Sequence, residues 1–353
     1  MLCWFLFSSL LSIYNKEMFG KKLGHFPCPL LMTSVHFAMQ WGVSYTLSKI
    51  WPDRFGGREV DEMSWSTFLN VSVSCGVVTS LDVALSNLSM VFITVTFYTM
   101  VKSSSPIFTL GFAFFLRIEK VQVKLLAVVG LIAIGELLAV YGESDFNLKG
   151  FILCLSASGL SGLRWTLVQL KLSKLNPPLQ SPIATLRVIA PSMYATILLV
   201  SLVYERPWES FSTSIYFSDF SHIVRTVLLA MLGGGLAVSM MLAEFALILK
   251  SSAMILMIGG VIKELFTISL GVQIFDDVLT VTNMTGFGIV LAGVLLFKLS
   301  YKKNKGGDRD RNGDDISSAE DETELEMGAL LNESNALPMV IDMKEVVNSQ
   351  EGR

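Results

Sequence analysis

FYTMVKSSSPIF, residues 97–108, sets a lysine, Lys102, inside a long apolar run, and GGVIKE, residues 259–264, does the same for Lys263 in a second run. Each lysine follows an acid within one membrane length: Asp82 lies 20 residues before Lys102, and Glu244 lies 19 before Lys263. A charge at bilayer depth costs about 2.5–3.5 kcal/mol even on the lenient insertion scale, so such residues mark function by default. A charge set repeated in two halves of one chain points to a transporter with a site between repeats.

The composition agrees. The chain has 353 residues, of which 52% are hydrophobic and 16% charged. An ordinary soluble domain carries about 25% charged residues, so the membrane class is favoured. The net charge of -3 hides an uneven distribution, with the acidic excess after Tyr301. A spanning helix needs about 20 mostly apolar residues. Such runs occur at 27–48, 66–86, 90–116, 125–142, 151–170, 182–203, 224–248, 251–275 and 281–298. Residues 1–14 make a tenth, short for a span and without the charged segment that opens a signal peptide. That shortness suggests a helix that begins before Met1, or an internal start at Met1.

The expected fold is therefore all-α: a polytopic membrane protein of ten transmembrane helices. Two units of five would occupy residues 1–142 and 143–300, followed by a disordered acidic tail at 301–353. Five is odd, so the second unit must run inverted, which places a site near the midplane. Positive charge orients the bundle. With a cytosolic N-terminus, Arg54, Arg58, Arg117, Lys120, Lys124, Lys171, Lys174 and Lys250 fall in cytosolic loops. Lys16, Lys21, Lys22, Lys149 and Arg206 fall opposite, an asymmetry of roughly two to one that favours both termini in the cytosol.

On a helix, Tyr98, Thr99, Ser105 and Pro106 share the face of Lys102. Pro106 frees a backbone carbonyl one turn earlier, a break tolerated where it lines a cavity. Around Lys263 the same face carries Gly259, Gly260, Phe266 and Thr267, with bulk removed beside the ammonium. A lysine there offers a compact charge with three donors, suited to phosphate or carboxylate. The competing reading pairs both lysines with Asp82, Glu136, Glu244 or Glu264. Arg164, in GLRWTLVQ, could meet an acid or a ligand phosphate. Arg187, near a helix end, reads as structural. Tyr14-Asn15-Lys16 closes the first helix either as interfacial anchors or as polar groups at its mouth. Asn70, Asn87 and Asn283 begin glycan sequons, yet their place in or against membrane segments argues against glycans.

Other classes are poorly served. Four cysteines without CxxC spacing and three scattered histidines make no metal site. No cofactor is called for, and nothing points to nucleic acid. The longest loop, 204–222, carries no obvious catalytic set, which disfavours a membrane-embedded enzyme. In the tail, Ser317 and Ser318 lie in DDISSAEDE, a setting for acid-directed kinases, and Glu326, Leu330 and Leu331 form ExxxLL, which would suit a sorting adaptor.

SIYNK at 12–16, FYTMVKSSSPIF at 97–108, GLRWTLVQ at 162–169 and GGVIKE at 259–264 together resemble the nucleotide-sugar/triose-phosphate translocator family of the drug/metabolite transporter superfamily. The strings look most like the C branch of solute carrier family 35 and the plant endomembrane sugar phosphate/phosphate translocators. The resemblance covers about residues 1–300. It implies ten helices in two inverted halves and alternating-access exchange of organic phosphates, with the Golgi as the favoured membrane. It also implies that Lys102 and Lys263 meet the cargo phosphate, with Tyr98 and Thr99 near the rest of the ligand. There is one departure: plastid members exchanging triose phosphate carry Lys-Arg where this chain has Lys263-Glu264. An anion there disfavours a small phosphate dianion and leaves nucleotide sugars as a reasonable cargo.

The expectation is an endomembrane antiporter for a nucleotide sugar or sugar phosphate, with a nucleoside monophosphate or phosphate as counter-substrate. Its candidate binding residues are Lys102, Lys263, Tyr98, Thr99, Arg164, Glu264, Tyr14 and Lys16. The alternative is a non-transporting regulator of Golgi glycosylation or cargo sorting that keeps the fold.

Overall fold

The computed structural model describes residues 2–20, 26–117, 123–142, 146–176, 178–211, 214–250, 260, 263–264, 267–268, 270–274, 280–293 and 296. Among them there are helices and no strand. In chain order they are α1 (Leu2–Phe19), α2 (Pro29–Ile50), α3 (Pro52–Phe55), α4 (Gly57–Asp61), α5 (Trp65–Met90), α6 (Val95–Lys102) and α7 (Ser105–Phe115). Then follow α8 (Val123–Tyr141), α9 (Leu148–Leu172), α10 (Pro182–Tyr204), α11 (Pro207–Phe211), α12 (Phe220–Lys250) and α13 (Val281–Gly293). Four helices of the described chain are long and apolar enough to cross a membrane: α5, α9, α10 and Phe220–Leu249 of α12. The described residues of 260–274 are helical. The tail, with Ser317, Ser318, Glu326, Leu330 and Leu331, lies outside the described residues.

The apolar run at 90–116 is two helices, not one. Thr94 caps α6 by accepting from Phe97 N at 3.0 Å. The break at Ser103–Ser104 follows from Pro106, which lacks the N–H that would donate to Lys102 O. Ser105 Oγ donates to that carbonyl instead, at 2.7 Å, and Ser104 Oγ donates to Val101 O at 2.6 Å. Hydroxyls thus replace lost helical bonds, as membrane-depth breaks require.

Packing reaches across the chain. The helix α2 lies against α10 and α12, α5 against α9 and α10, α1 against α12, and α7 against α9. Small residues permit the closest approaches. A Cβ on Gly162 of α9 would sit 2.5 Å from Thr109 N of α7, and one on Gly135 of α8 would sit 2.7 Å from Gly286 O of α13. At one end, Glu205 clips α10 to α2: its two oxygens accept from Leu30 N and Leu31 N at 2.7 and 2.9 Å. It thereby caps donors that a helix N-terminus leaves unpaired. Elsewhere Arg187 meets Asp61 at 2.5 Å, and Lys49 meets the same carboxylate at 2.9 Å, which ties the α3–α4 connection to α10. Large apolar side chains such as Leu137, Val203, Phe220, Leu228 and Leu232 stay exposed, while Ser, Thr and Asn side chains are buried. Apolar outside and polar inside is what a lipid solvent selects.

Candidate functional site

A cavity with polar and charged lining lies inside the bundle, formed from α1, α2, α5, α6, the start of α7, α9, α12 and the stretch 260–274. Its walls carry three cations, Lys102, Arg164 and Lys263, and three carboxylates, Asp82, Glu244 and Glu264. The formal sum is zero, so an entering anion meets no net positive field and must take a cation from a carboxylate or find one uncommitted.

Most of this charge is paired. Lys102 ends α6 at the serine break and reaches Asp82 Oδ1 of α5 at 2.7 Å. Arg164 of α9 donates from Nε to Asp82 Oδ2 at 3.1 Å and from Nη1 to Glu244 Oε1 of α12. Trp165 Nε1 also donates to Glu244 Oε1, at 3.2 Å. The chain Lys102–Asp82–Arg164–Glu244 thus runs across four helices with alternating sign. Such a network is stable only while each member keeps its partners, since removing one leaves a buried charge at a cost of about 3–5 kcal/mol.

Lys263 stands apart. Among the described residues no carboxylate lies within 4.0 Å of its Nζ. Its Nζ sits 5.7 Å from the ring centre of Trp4 on α1, an aromatic face that attracts a cation without neutralising it. The next residue, Glu264, is buried, and its Oε2 has no hydrogen-bond partner among the described residues. The stretch 260–274 is tied to α1 here by Ser9 and Thr267, whose hydroxyls lie 3.0 Å apart.

Another part of the lining, from α1, α2 and α5, carries amides and hydroxyls. Asn15 Nδ2 donates to Asn87 Oδ1 at 3.1 Å, and Asn87 Nδ2 donates to Thr33 Oγ1 at 2.8 Å. Gln40 lies two turns along α2 from Thr33, buried, with Oε1 unpartnered among the described residues. His36 also lines the wall, and its ring packs on Tyr14 at 5.9 Å.

Of the residues singled out from sequence, Lys102, Lys263, Tyr98, Thr99, Arg164 and Glu264 come together around this cavity. Tyr14 and Lys16 lie outside its lining. Tyr14 Oη donates to Leu229 O of α12 at 2.9 Å, and Lys16 Nζ donates to Met90 O and Ile93 O at 3.0 and 2.6 Å. Met90 is the last residue of α5, where a cation is favoured, and Ile93 lies in the turn that leads to α6. The middle residue of that trio, Asn15, is the one that faces the site. The sequence reading of the site does not include Thr33, His36, Gln40 and Asn87, and it places Asn15 only in the polar trio at the mouth of the first helix. The available signal was the polar series Thr33, His36, Gln40, Ser44 and Ser48, spaced three or four apart along an apolar helix.

A bundle with apolar flanks, a broken helix and a charged interior cavity defines an integral membrane transporter. The chain belongs to the Triose-phosphate Transporter family, whose profile matches residues 1–298, and its members are transporters, not enzymes. It is 39% identical over 304 residues to a "Probable sugar phosphate/phosphate translocator" of Arabidopsis thaliana, covering 86% of this chain and 72% of that one. It is 30% identical over 371 residues to a "Putative nucleotide-sugar transporter" of Saccharomyces cerevisiae, covering 85% of this chain and 84% of that one. A second Arabidopsis thaliana "Probable sugar phosphate/phosphate translocator" is 28% identical over 294 residues, covering 83% and 80% of the two chains.

Proposed function

We propose that this transporter is an antiporter exchanging a phosphorylated sugar solute, a sugar phosphate or nucleotide sugar, for phosphate or a nucleoside monophosphate. The observation that carries this reading is Lys263, a cation with no ion-pair partner among the described residues, in a cavity whose other cations are paired. The cargo phosphate docks on Lys263 first. It then competes with Asp82 for Lys102 and Arg164, exchanging one set of charge-assisted hydrogen bonds for another. Release restores the network, which neutralises the empty cavity.

Alternating access needs two halves that rock about the site, and the helix contacts support the two-unit organisation at 1–142 and 143–300. Exchange of the halves turns the α1–α12 contact into α9–α5 and the α2–α12 contact into α10–α5. The α2–α10 and Gly135–Gly286 approaches turn into themselves. Asp82 of α5 turns into Glu244 of α12, and both hold Arg164. Loop charges favour cytosolic termini, and an endomembrane, the Golgi first, is the compartment assigned.

Counterflow uptake in proteoliposomes tests the reading, with nucleotide sugars, sugar phosphates and inorganic phosphate as the panel. One class should exchange in the wild type. Exchange should vanish in Lys263→Ala and fall at least tenfold in Lys102→Ala. A folded protein that exchanges nothing in the panel would sink the antiporter and favour a regulator of glycosylation or sorting.

A further inference from the structure

Glu264 is a poor neighbour for a phosphate, yet it sits beside the cavity's uncommitted cation. Resting on the transport reading, we propose that Glu264, with Gln40 and Asn15, is the pole that recognises the hydroxyl groups of the cargo, so that the chain selects polyhydroxylated phosphates over bare ones. Four side chains lining the cavity carry a buried polar atom with no partner among the described residues: the oxygens Glu264 Oε2, Gln40 Oε1 and Asn15 Oδ1, and the ring nitrogen His36 Nε2. The three residues that carry the oxygens are 7%, 1% and 7% exposed. Unpaired polar atoms at such depth are costly, and native structures keep few without a purpose.

The chemistry of the three fixes what they want. An ionised carboxylate only accepts hydrogen bonds, whereas an amide can turn to present either its oxygen or its nitrogen. Glu264 therefore sets the demand for donors, and the two amides can follow it or complement a mixed hydroxyl face. Lysine has no acceptor, so Lys263 serves the opposite end of the ligand. Glu264 and Lys263 are consecutive, which puts the donor demand and the phosphate anchor on one turn. Asn15 on α1 and Gln40 on α2 come from other helices, so the pole spans the cavity wall. The matching ligand has one anionic end and a body bearing several hydroxyls. A site built to pair hydroxyls discriminates strongly against analogues that lack them, because its own buried groups are then left unpaired.

The test compares apparent affinities in competition against counterflow. Hexose phosphates, pentose phosphates and nucleotide sugars are each paired with a deoxy analogue, and inorganic phosphate is included. In the wild type, loss of one contacted hydroxyl should weaken competition about tenfold or more. Glu264→Ala should erase that difference while inorganic phosphate competes as well as before or better. Gln40→Ala should reduce the difference in part. Deoxy analogues that match their parents in the wild type overturn the proposal without any variant, whatever the folding of Glu264→Ala. Equal weakening of sugar phosphate and inorganic phosphate in Glu264→Ala overturns it too, since Glu264 would then be structural. If phosphate competes and hydroxyls do not matter, only this inference falls. If no phosphorylated compound competes, the transport reading falls with it.

Discussion

Asp82 accepts from both Lys102 and Arg164, while Glu244 accepts from Arg164 and Trp165. The two acids are therefore not equivalent. Asp82→Asn strips an anion from two buried cations, and the expected loss is about 3–5 kcal/mol, read as a lowered thermal midpoint in detergent. Lys102→Ala leaves Asp82 with Arg164 and should cost less. Equal destabilisation by both would refute the shared-acceptor arrangement. The charged half of this site was legible in the chain because a charge at membrane depth is too costly to be accidental. The neutral half was not. A serine, threonine or asparagine inside a membrane helix is common and bonds to its own backbone, as Thr33 does to Pro29 O at 2.8 Å. Asn87 begins a sequon, and nothing in that motif signals that its amide bridges α1 and α2 inside the cavity. Lys16 attracted attention by its charge, while its uncharged neighbour Asn15 reaches the site.

At the scale of elements, the α6–α7 break was foreshadowed by Pro106. The serines that satisfy the freed carbonyl are the part only the structure gives. Ser105→Ala leaves Lys102 O without its hydroxyl donor, at a cost of about 1–3 kcal/mol. It should also loosen the position of Lys102, so apparent cargo affinity falls with stability. Affinity unchanged in Ser105→Ala would show that the break does not position the lysine. Gly162→Leu places a side chain where even a Cβ would meet Thr109 N at 2.5 Å, and it should depress the yield of folded protein sharply. The Glu205 clip between α10 and α2 titrates. Burial pushes its carboxyl above the ordinary 4.5, against the opposing pull of Leu30 N–H, Ser201 and Leu31 N–H. A carboxyl with a raised folded pKa favours the protonated native state. Glu205 therefore weakens the fold above its raised value, and this penalty disappears as the pH falls below 4.5. Comparing thermal midpoints of wild type and Glu205→Gln across neutral to acid pH should show that slope in the wild type alone.

For the whole molecule, the class was legible because ten runs of apolar residues have few competing explanations, and the family match spans them. Which helices touch was not legible: apolar periodicity marks a lipid or core face without naming the neighbour. Partner choice rests on small-residue contacts such as Gly135 with Gly286, whose residues lie 151 apart in the chain. Gly286→Leu should therefore part α13 from α8 and abolish transport while leaving membrane insertion intact, as glycosylation-site mapping of the loops would show. The equal number of cations and carboxylates around the cavity has an electrical consequence. On the proposed exchange reading, side chains whose charges sum to zero carry no charge of their own through the field when the loaded carrier reorients. A loaded carrier moves only the charge of its cargo, worth about 2.3 kcal/mol per elementary charge per 100 mV. Exchange of like-charged solutes is then silent to voltage. Unequal exchange would produce a current on a supported membrane, with a sign that reports the charge difference between incoming and outgoing cargo.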